Sequence, residues 1–527
     1  MSASTQSGRL CLLLHAHLPF VRHPEHPRFL EEEWLFEAIT ETYVPILAFS
    51  ERLRDEGVPF RLALTLSPPL CEMLADPLLQ DRYGAHLASR IDLIERERHR
   101  GSPPAVVEAY RRLFQQAHEV FERRNGRRLL GAFKSLQDSG HLEILTSGAT
   151  HGFLPNMGRP EAVNAQIAVA VENYKRHFGR APRGIWLPEC GYAPGIDIAL
   201  AANGLEWFVV DSHGLINGSR VPRRGLYAPA RTPSGVAVFA RDRESSKQVW
   251  SAKEGYPGDG VYREFYRDLG YDADYEYIKP YLHPDGVRRN VGLKYHRITG
   301  DVALHAKQPY DPAAAAAKAE EHAENFVFNR VQQARWLKEK LGAVPTVVSP
   351  YDAELFGHWW FEGPKFLEAV ARRMGRPSSE VVLISPSEVL KIENRLQTLE
   401  PSFSTWGDRG YAEVWLNGAN DWMIRHQHRA EDRMVELARR RPDAAGLERR
   451  ALTQAARELL LSQSSDWAFL ITVGTASPYA HRRFREHASR FLRLADMIDR
   501  GDVDERELRE IEERDSIFQE LDYRVYA

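Results

Sequence analysis

The most constraining stretch of this chain is Gly184-Ile185-Trp186-Leu187-Pro188-Glu189-Cys190-Gly191-Tyr192. An apolar run stops there at a proline and a carboxylate, and glycine turn chemistry follows. A buried strand that hands a polar residue to the mouth of an α/β core has this form. Taken alone, the blander reading is a strand end with a solvated glutamate. A second stretch of the same design, Val347-Val348-Ser349-Pro350-Tyr351-Asp352-Ala353-Glu354, turns one instance into a pattern. Two carboxylates at strand ends are the minimum apparatus for glycoside chemistry.

Short apolar runs alternating with helical spacing recur along the chain. They predict strands within residues 9–20, 61–66, 142–147, 184–187, 206–211, 344–349 and 381–384. Helical periodicity fills most of the intervals, and after residue 407 only helices are expected. Alternating β and α units imply a parallel sheet with its site at the carboxyl ends of the strands. The expected fold is therefore α/β. A distorted TIM-like (β/α)7 barrel over residues 1–400 is followed by a C-terminal α-helical domain over 401–527. The rhythm breaks at about 212–295, rich in Gly, Pro, Arg, Asp and Tyr, where only 236–240 looks strand-like. That length exceeds an ordinary loop, so it reads as an inserted lid or subdomain over the strand ends.

Composition narrows the function. With 527 residues the chain exceeds one ordinary core, and 43% hydrophobic with 27% charged residues is the balance of a soluble globular protein. The formal net charge is −3, from 70 basic and 73 acidic residues, which gives no support for nucleic acid or an anionic membrane as partner. The apolar run 10–14 is too short for a signal peptide, and no stretch approaches the roughly 20 apolar residues of a membrane helix. Three scattered cysteines argue against a disulfide framework, and a cytoplasmic location is expected. Several of the 11 tryptophans lie in polar, Gly- and Asp-rich surroundings, where aromatic faces suit sugar rings, although core packing suits any single one.

The candidate functional residues each follow an expected strand: His15 and His17, His151, Glu189, Asp211 or His213, and Asp352. In a barrel these positions converge on one face. Residues two apart on a strand share a side, so His15 and His17 point together. For the carboxylates, convergence suggests one attacking and one protonating a bond between them, about 5–5.5 Å apart if configuration is retained and about 6.5–9.5 Å if inverted. His-x-His with a further histidine and an aspartate is also how metal-dependent hydrolases assemble ligands. Against that alternative, no H-E-x-x-H or cysteine pair at zinc spacing is present. Cys190 is read as a small buried residue, and the glycine-rich 255–260 lacks the ending of a phosphate loop.

Five motifs in order then carry a resemblance. They are His15-Ala16-His17-Leu18-Pro19-Phe20, the 143–152 segment ending in His151-Gly152, Trp186 to Tyr192, Ser349 through Trp360, and the Trp406-to-Trp415 stretch leading to Asn420-Asp421-Trp422. The chain resembles the glycoside hydrolase family 57 α-glucan enzymes, and within them the glycogen branching enzymes of prokaryotes. The resemblance implies a retaining mechanism with Glu189 as nucleophile and Asp352 as general acid/base. It implies substrate-binding roles for His15, His17, Trp34, His151, Arg263, Tyr271, Trp359, Trp406, Trp415 and Asp466. No cofactor and no metal are implied. The implied partner is an α-1,4-glucan, the implied product an α-1,6 branch, and the implied assembly a monomer or homodimer. An α-glucanotransferase or amylase of the same family is the alternative. Tyr271 stands where some members carry a groove tryptophan. The family's water-shielding loop tyrosine has no counterpart within 233–250, which leaves Tyr227 and Phe239 as shielding candidates.

Overall fold

The structure is a computed structural model that describes residues 6–251 and 254–527. Ten strands occur among them: β1 (Gly8–Ala16), β2 (Leu62–Leu66), β3 (Leu142–Leu145), β4 (Gly184–Ile185), β5 (Trp207–Val210), β6 (Ala230–Arg231), β7 (Ala237–Ala240), β8 (Thr346–Asp352), β9 (Val381–Leu383) and β10 (Gln397–Thr398). All nine residues of β1 are buried, as a continuous apolar strand covered on both faces must be. Parallel ladders join β1 to β8 and to β2, and β2 to β3. A second parallel set runs β4–β5–β7. Two thin seams connect the sets. Thr146 pairs with Ile185, and the Asp242 amide donates to the Val348 carbonyl at 2.8 Å. The order β1–β2–β3–β4–β5–β7–β8 returns to β1, so seven parallel strands close a barrel of the expected class.

Its membership differs from expectation by one strand. Residues 236–240, assigned to the insertion, supply the ring strand β7, parallel to β5 along Trp207–Val210. The run reads as a strand, but its Gly-, Pro- and Arg-rich flanks carry no βα spacing that would place it in the ring. Residues 381–384, expected as the seventh ring strand, instead give β9, which pairs with Gly8–Leu10 of β1. Because β8 fills one edge of β1, β2 and β9 share the other. Beyond β7, the chain packs on the helices Pro77–Arg100 and Pro104–His118. There the Tyr277 and Tyr295 hydroxyls donate to Glu97 at 2.7 and 2.9 Å.

The barrel interior shows how the site is positioned. Cys11, Leu13, Val209, Phe239 and Val348 pack there with Trp186. Alternation makes His15 the next inward residue after Leu13, and Pro350 then Asp352 the next after Val348. His15 and Asp352 are register partners across β1 and β8. The apolar ladder therefore ends in a polar layer at the carboxyl side. Gly184 allows the close packing of β4, since a Cβ there would lie 2.3 Å from the Trp207 ring.

Five helices follow: Trp422–Arg440, Gly446–Ser462, Ser465–Val473, Ser477–Arg500 and Glu505–Arg514. Their apolar faces join the same core as the barrel helices. The joint between the second and third enters the barrel mouth, where Ser464 bridges Gly152. No helix among the described residues is long and apolar enough to cross a membrane.

Candidate active site

The turn after β4 places Glu189 by an unusual backbone. Glu189, Cys190 and His151 have φ of 61°, 52° and 57°, a region that non-glycine residues seldom occupy. Such strain costs of order 1–3 kcal/mol per residue and persists only where surroundings over-determine it. Here the C-terminal part of the chain supplies the constraint. The Trp406 amide donates to the Glu189 carbonyl at 3.1 Å, and the Ser465 amide to the His151 carbonyl at 3.0 Å.

The same two residues hold the Glu189 carboxylate. Trp406 Nε1 donates to Oε2 at 3.0 Å and Ser465 Oγ to Oε1 at 2.8 Å. Ser465 Oγ also bonds His151 Nδ1 at 2.9 Å. The His151 and His15 Nε2 atoms lie 3.0 Å apart, so one ring donates and the other accepts. His17 stacks on His151 with centroids 3.8 Å apart and bonds Asp466 Oδ2 through Nε2 at 3.0 Å. Its backbone amide donates to Glu354 Oε1 at 3.2 Å, which also accepts from the Tyr43 hydroxyl at 2.5 Å. His15 packs against Trp186, and Trp186 against Trp406.

Electrostatics separates the carboxylates. Burial, then the charges of Glu354 and Glu189, pushes Asp352 well above the carboxylate range, with Arg241 offsetting part of the rise. Burial also raises Glu189, but the Trp406 hydrogen bond favours its ionised form. Burial would raise Asp466 too, yet His17 pulls it down to about 2. Burial and neighbouring imidazoles hold His15 and His151 well below the ordinary histidine value, so both are neutral. Both carboxyls are raised by burial, Asp352 the further of the two, and surroundings that push two carboxyls apart are what acid and nucleophile work requires. His17, His151 and Asp466 are also the residues here that could hold a metal ion.

The structure thus brings Glu189, His15, His17, His151, Trp406 and Asp466 into one bonded or stacked network, with Asp352 in register beside His15. Other expected residues lie outside it. Trp34 is half-buried and packs edge-on to Tyr479. Trp415 is buried on Phe153. Arg263 is buried, with its guanidinium on Glu41 at 3.0 Å and on the His358 carbonyl at 3.1 Å. Tyr271 is exposed, and so is Trp359, which stacks on Phe265. His213 bonds Asp211 and the Gly410 carbonyl.

The two shielding candidates are not on a loop over the site. Phe239 lies within β7 inside the barrel, because its run alternates inward with Ala237. The Tyr227 carbonyl accepts from the amide of Thr346, the first residue of β8, at the end opposite Asp352. Sequence reasoning passed over Ser465, Arg241, Glu354 and Trp250. Glu354 sits inside the quoted 349–360 motif, Ser465 precedes Asp466, and Arg241 follows β7, the strand assigned to the insertion. Trp250 ends the helix Arg243–Trp250 and stacks on Trp406 with centroids 6.2 Å apart.

A closed parallel barrel with a histidine–carboxylate network at its strand ends defines a class, the α/β-barrel enzymes. Residues 11–401 match glycosyl hydrolase family 57, and residues 426–526 match the C-terminal region of 1,4-alpha-glucan branching enzymes. The chain belongs to glycosyl hydrolase family 57. It is 38% identical to a 1,4-alpha-glucan branching enzyme of Thermococcus kodakarensis over 544 residues, covering 97% of this chain and 77% of that protein. Among solved structures it is similar to the alpha-amylase AmyC of Thermotoga maritima, with a TM-score of 0.93, 46% identity and 99% of each chain covered. It is also similar to the branching enzyme of Pyrococcus horikoshii, with a TM-score of 0.88, 36% identity, and 99% and 97% of the two chains covered.

Proposed function

We propose that this protein cleaves α-1,4 bonds of a glucan by a retaining double displacement. The observation that carries the reading is the pairing of Glu189, held by Trp406 and Ser465, with the protonated Asp352 in one buried polar layer. Asp352 donates its proton to the glycosidic oxygen as Glu189 Oε attacks the anomeric carbon. The leaving chain departs with a free hydroxyl. Asp352, now ionised, takes a proton from the incoming hydroxyl, whose oxygen displaces Glu189 and restores the anomeric configuration. The neutral histidines donate and accept at sugar hydroxyls without adding charge.

Release to water, amylase-type hydrolysis, is the favoured outcome. The likeness to the Thermotoga maritima alpha-amylase supports it, and so does the mouth itself: Trp250 is 48% exposed, which leaves its flank open to water. The second reading is transfer to a glucan C6 hydroxyl, which makes a branch. The match of residues 426–526 to the branching-enzyme C-terminal region supports that one. Incubation with amylose tests both by counting new reducing ends and α-1,6 linkages. Reducing ends without branch points are expected. Branch points at constant reducing ends reverse the preference, and neither product overturns the proposal.

A further inference from the structure

The inner end of the site holds an arrangement that sugar binding does not require. The ligand atoms of His17, His151 and Asp466 all lie within 4.8 Å of one another. His17 Nδ1 is tied to Ser67 Oγ at 2.9 Å, which turns Nε2 toward Asp466. His151 Nδ1 is tied to Ser465 Oγ at 2.9 Å, and Asp466 Oδ2 accepts from Ser464 Oγ at 2.6 Å. Each ligand candidate thus has a hydroxyl behind it, the outer support that orients imidazole and carboxylate toward an ion. His15 adds a third imidazole, its Nε2 3.0 Å from that of His151, and its Nδ1 is buried with no hydrogen-bond partner among the described residues. Two imidazoles and one carboxylate with a position left open suit a borderline-soft divalent ion.

We propose that His17, His151 and Asp466 bind a divalent transition-metal ion of the zinc class, reversibly, and that the bound ion blocks the glucan site. The N–H···O bond between His17 Nε2 and Asp466 Oδ2 is replaced by one nitrogen–metal and one oxygen–metal bond, and the displaced His17 proton goes to solvent; His151 Nε2 gives up the hydrogen bond it accepts from His15 Nε2 and puts that lone pair on the metal. The imidazoles that would meet sugar hydroxyls are then occupied. A second buried triad, Glu458, His487 and Asp515, also has convergent ligand atoms. There Arg490 and Arg483 already face Asp515 at 2.6 and 3.6 Å, and their charges exclude a cation.

The block rests on the function proposed above, whereas the binding does not, and the test separates them. Cobalt(II) is titrated into the intact protein and the visible absorption of its tetrahedral complex is followed, with zinc as competitor. Absorption that saturates at one equivalent and is lost to zinc or EDTA is expected. His17→Ala and Asp466→Asn each abolish it, while Ser67→Ala, which keeps all three ligands, weakens binding by about tenfold. Zinc lowers amylose turnover, and EDTA restores it. Absence of the cobalt spectrum in the intact protein overturns the site, and its persistence in His17→Ala overturns the location. Zinc bound without loss of turnover overturns the block. Loss of turnover in EDTA overturns it as well, because the ion is then required. A protein inactive on amylose that still shows the spectrum fails the functional proposal alone.

Discussion

Two buried histidine–carboxylate clusters in this molecule differ in what neutralises them. In the C-terminal helices, His487 Nδ1 bonds Glu458 at 2.7 Å, Gln454 donates to Glu458 at 2.8 Å, and Arg490 and Arg483 face Asp515. At the barrel mouth, the ion-pair partners of Glu189 and Asp466 among the described residues are histidines, His151 at 3.7 Å and His17 at 3.0 Å. The consequence shows in the acids. Burial would raise Asp515, but His487 and the arginines hold it down at about 2. Asp352 is pushed the other way by burial and by the charges of Glu354 and Glu189. Close arginine pairing fixes a proton inventory, whereas the partial offset by Arg241 leaves Asp352 able to trade a proton with a substrate.

The largest effect that would break the comparison is at the nucleophile. Glu189→Gln should lower turnover of amylose by at least about 10⁴-fold, the scale of removing a nucleophile. It should leave thermal stability equal or higher, because a buried charge is removed. A melting temperature that falls along with activity would assign Glu189 to structure.

The opposite pattern is expected in the second cluster. Asp515→Asn leaves the buried Arg483 and the part-buried Arg490 short of a counter-charge and should cost about 3–5 kcal/mol of stability in urea unfolding. Turnover measured well below the melting point should stay within about twofold of the parent, since surface-remote changes leave the transition state untouched. The pH dependence carries the same contrast. Asp515 has a folded pKa of about 2 against an ordinary 3.8, so its stabilisation is full above the ordinary value and disappears as pH falls toward 2. Asp352 is raised, so its contribution is present at low pH and is lost as pH rises through the elevated value. Melting curves between pH 4 and 2 should therefore fall steeply in the parent and less in Asp515→Asn.

A smaller effect isolates the hydrogen bond that favours the ionised form of Glu189 against burial. Trp406→Phe removes the Nε1 donor while keeping an aromatic ring. A hydrogen bond to a charged group contributes about 1.5–3 kcal/mol, so turnover should fall about 10- to 100-fold, with the acidic limb of the pH profile moved upward. An unmoved limb would mean that Ser465 alone sets the state of Glu189.

How much of this was legible in sequence depends on how local each signal is. Glu189 and Asp352 were readable because each ends an apolar run at a proline, and His15 because alternation along β1 is uninterrupted. The strand β7 was legible as a strand within 236–240, but not as a member of the ring, since the Gly-, Pro- and Arg-rich chain around it breaks the βα rhythm. The constraint on Glu189 by Trp406 and Ser465 crosses more than two hundred residues of chain, and no local pattern encodes it. Asp466 entered only through resemblance for the same reason. Arg263 shows the converse. An arginine in a Tyr- and Asp-rich stretch reads alike whether it faces a sugar or, as here, the buried Glu41.

The smallest effect concerns water, not charge. Trp250 stacks on the outer side of Trp406, whose indole bonds Glu189, and it ends the helix that follows β7. An aromatic pair contributes about 0.5–1.5 kcal/mol, so Trp250→Ala loosens this wall without unfolding it. Cleavage of amylose should stay within about twofold, whereas the ratio of hydrolysis to transfer should rise about two- to tenfold, the kinetic equivalent of that energy. Reducing ends and α-1,6 linkages from the same digest give the ratio directly. If it rises, the partly offset charge at the mouth governs cleavage and the aromatic wall governs what attacks the glycosyl-enzyme. An unchanged ratio removes Trp250 from that role and leaves the charged surroundings of Asp352, which activates either acceptor, as the remaining determinant of the product.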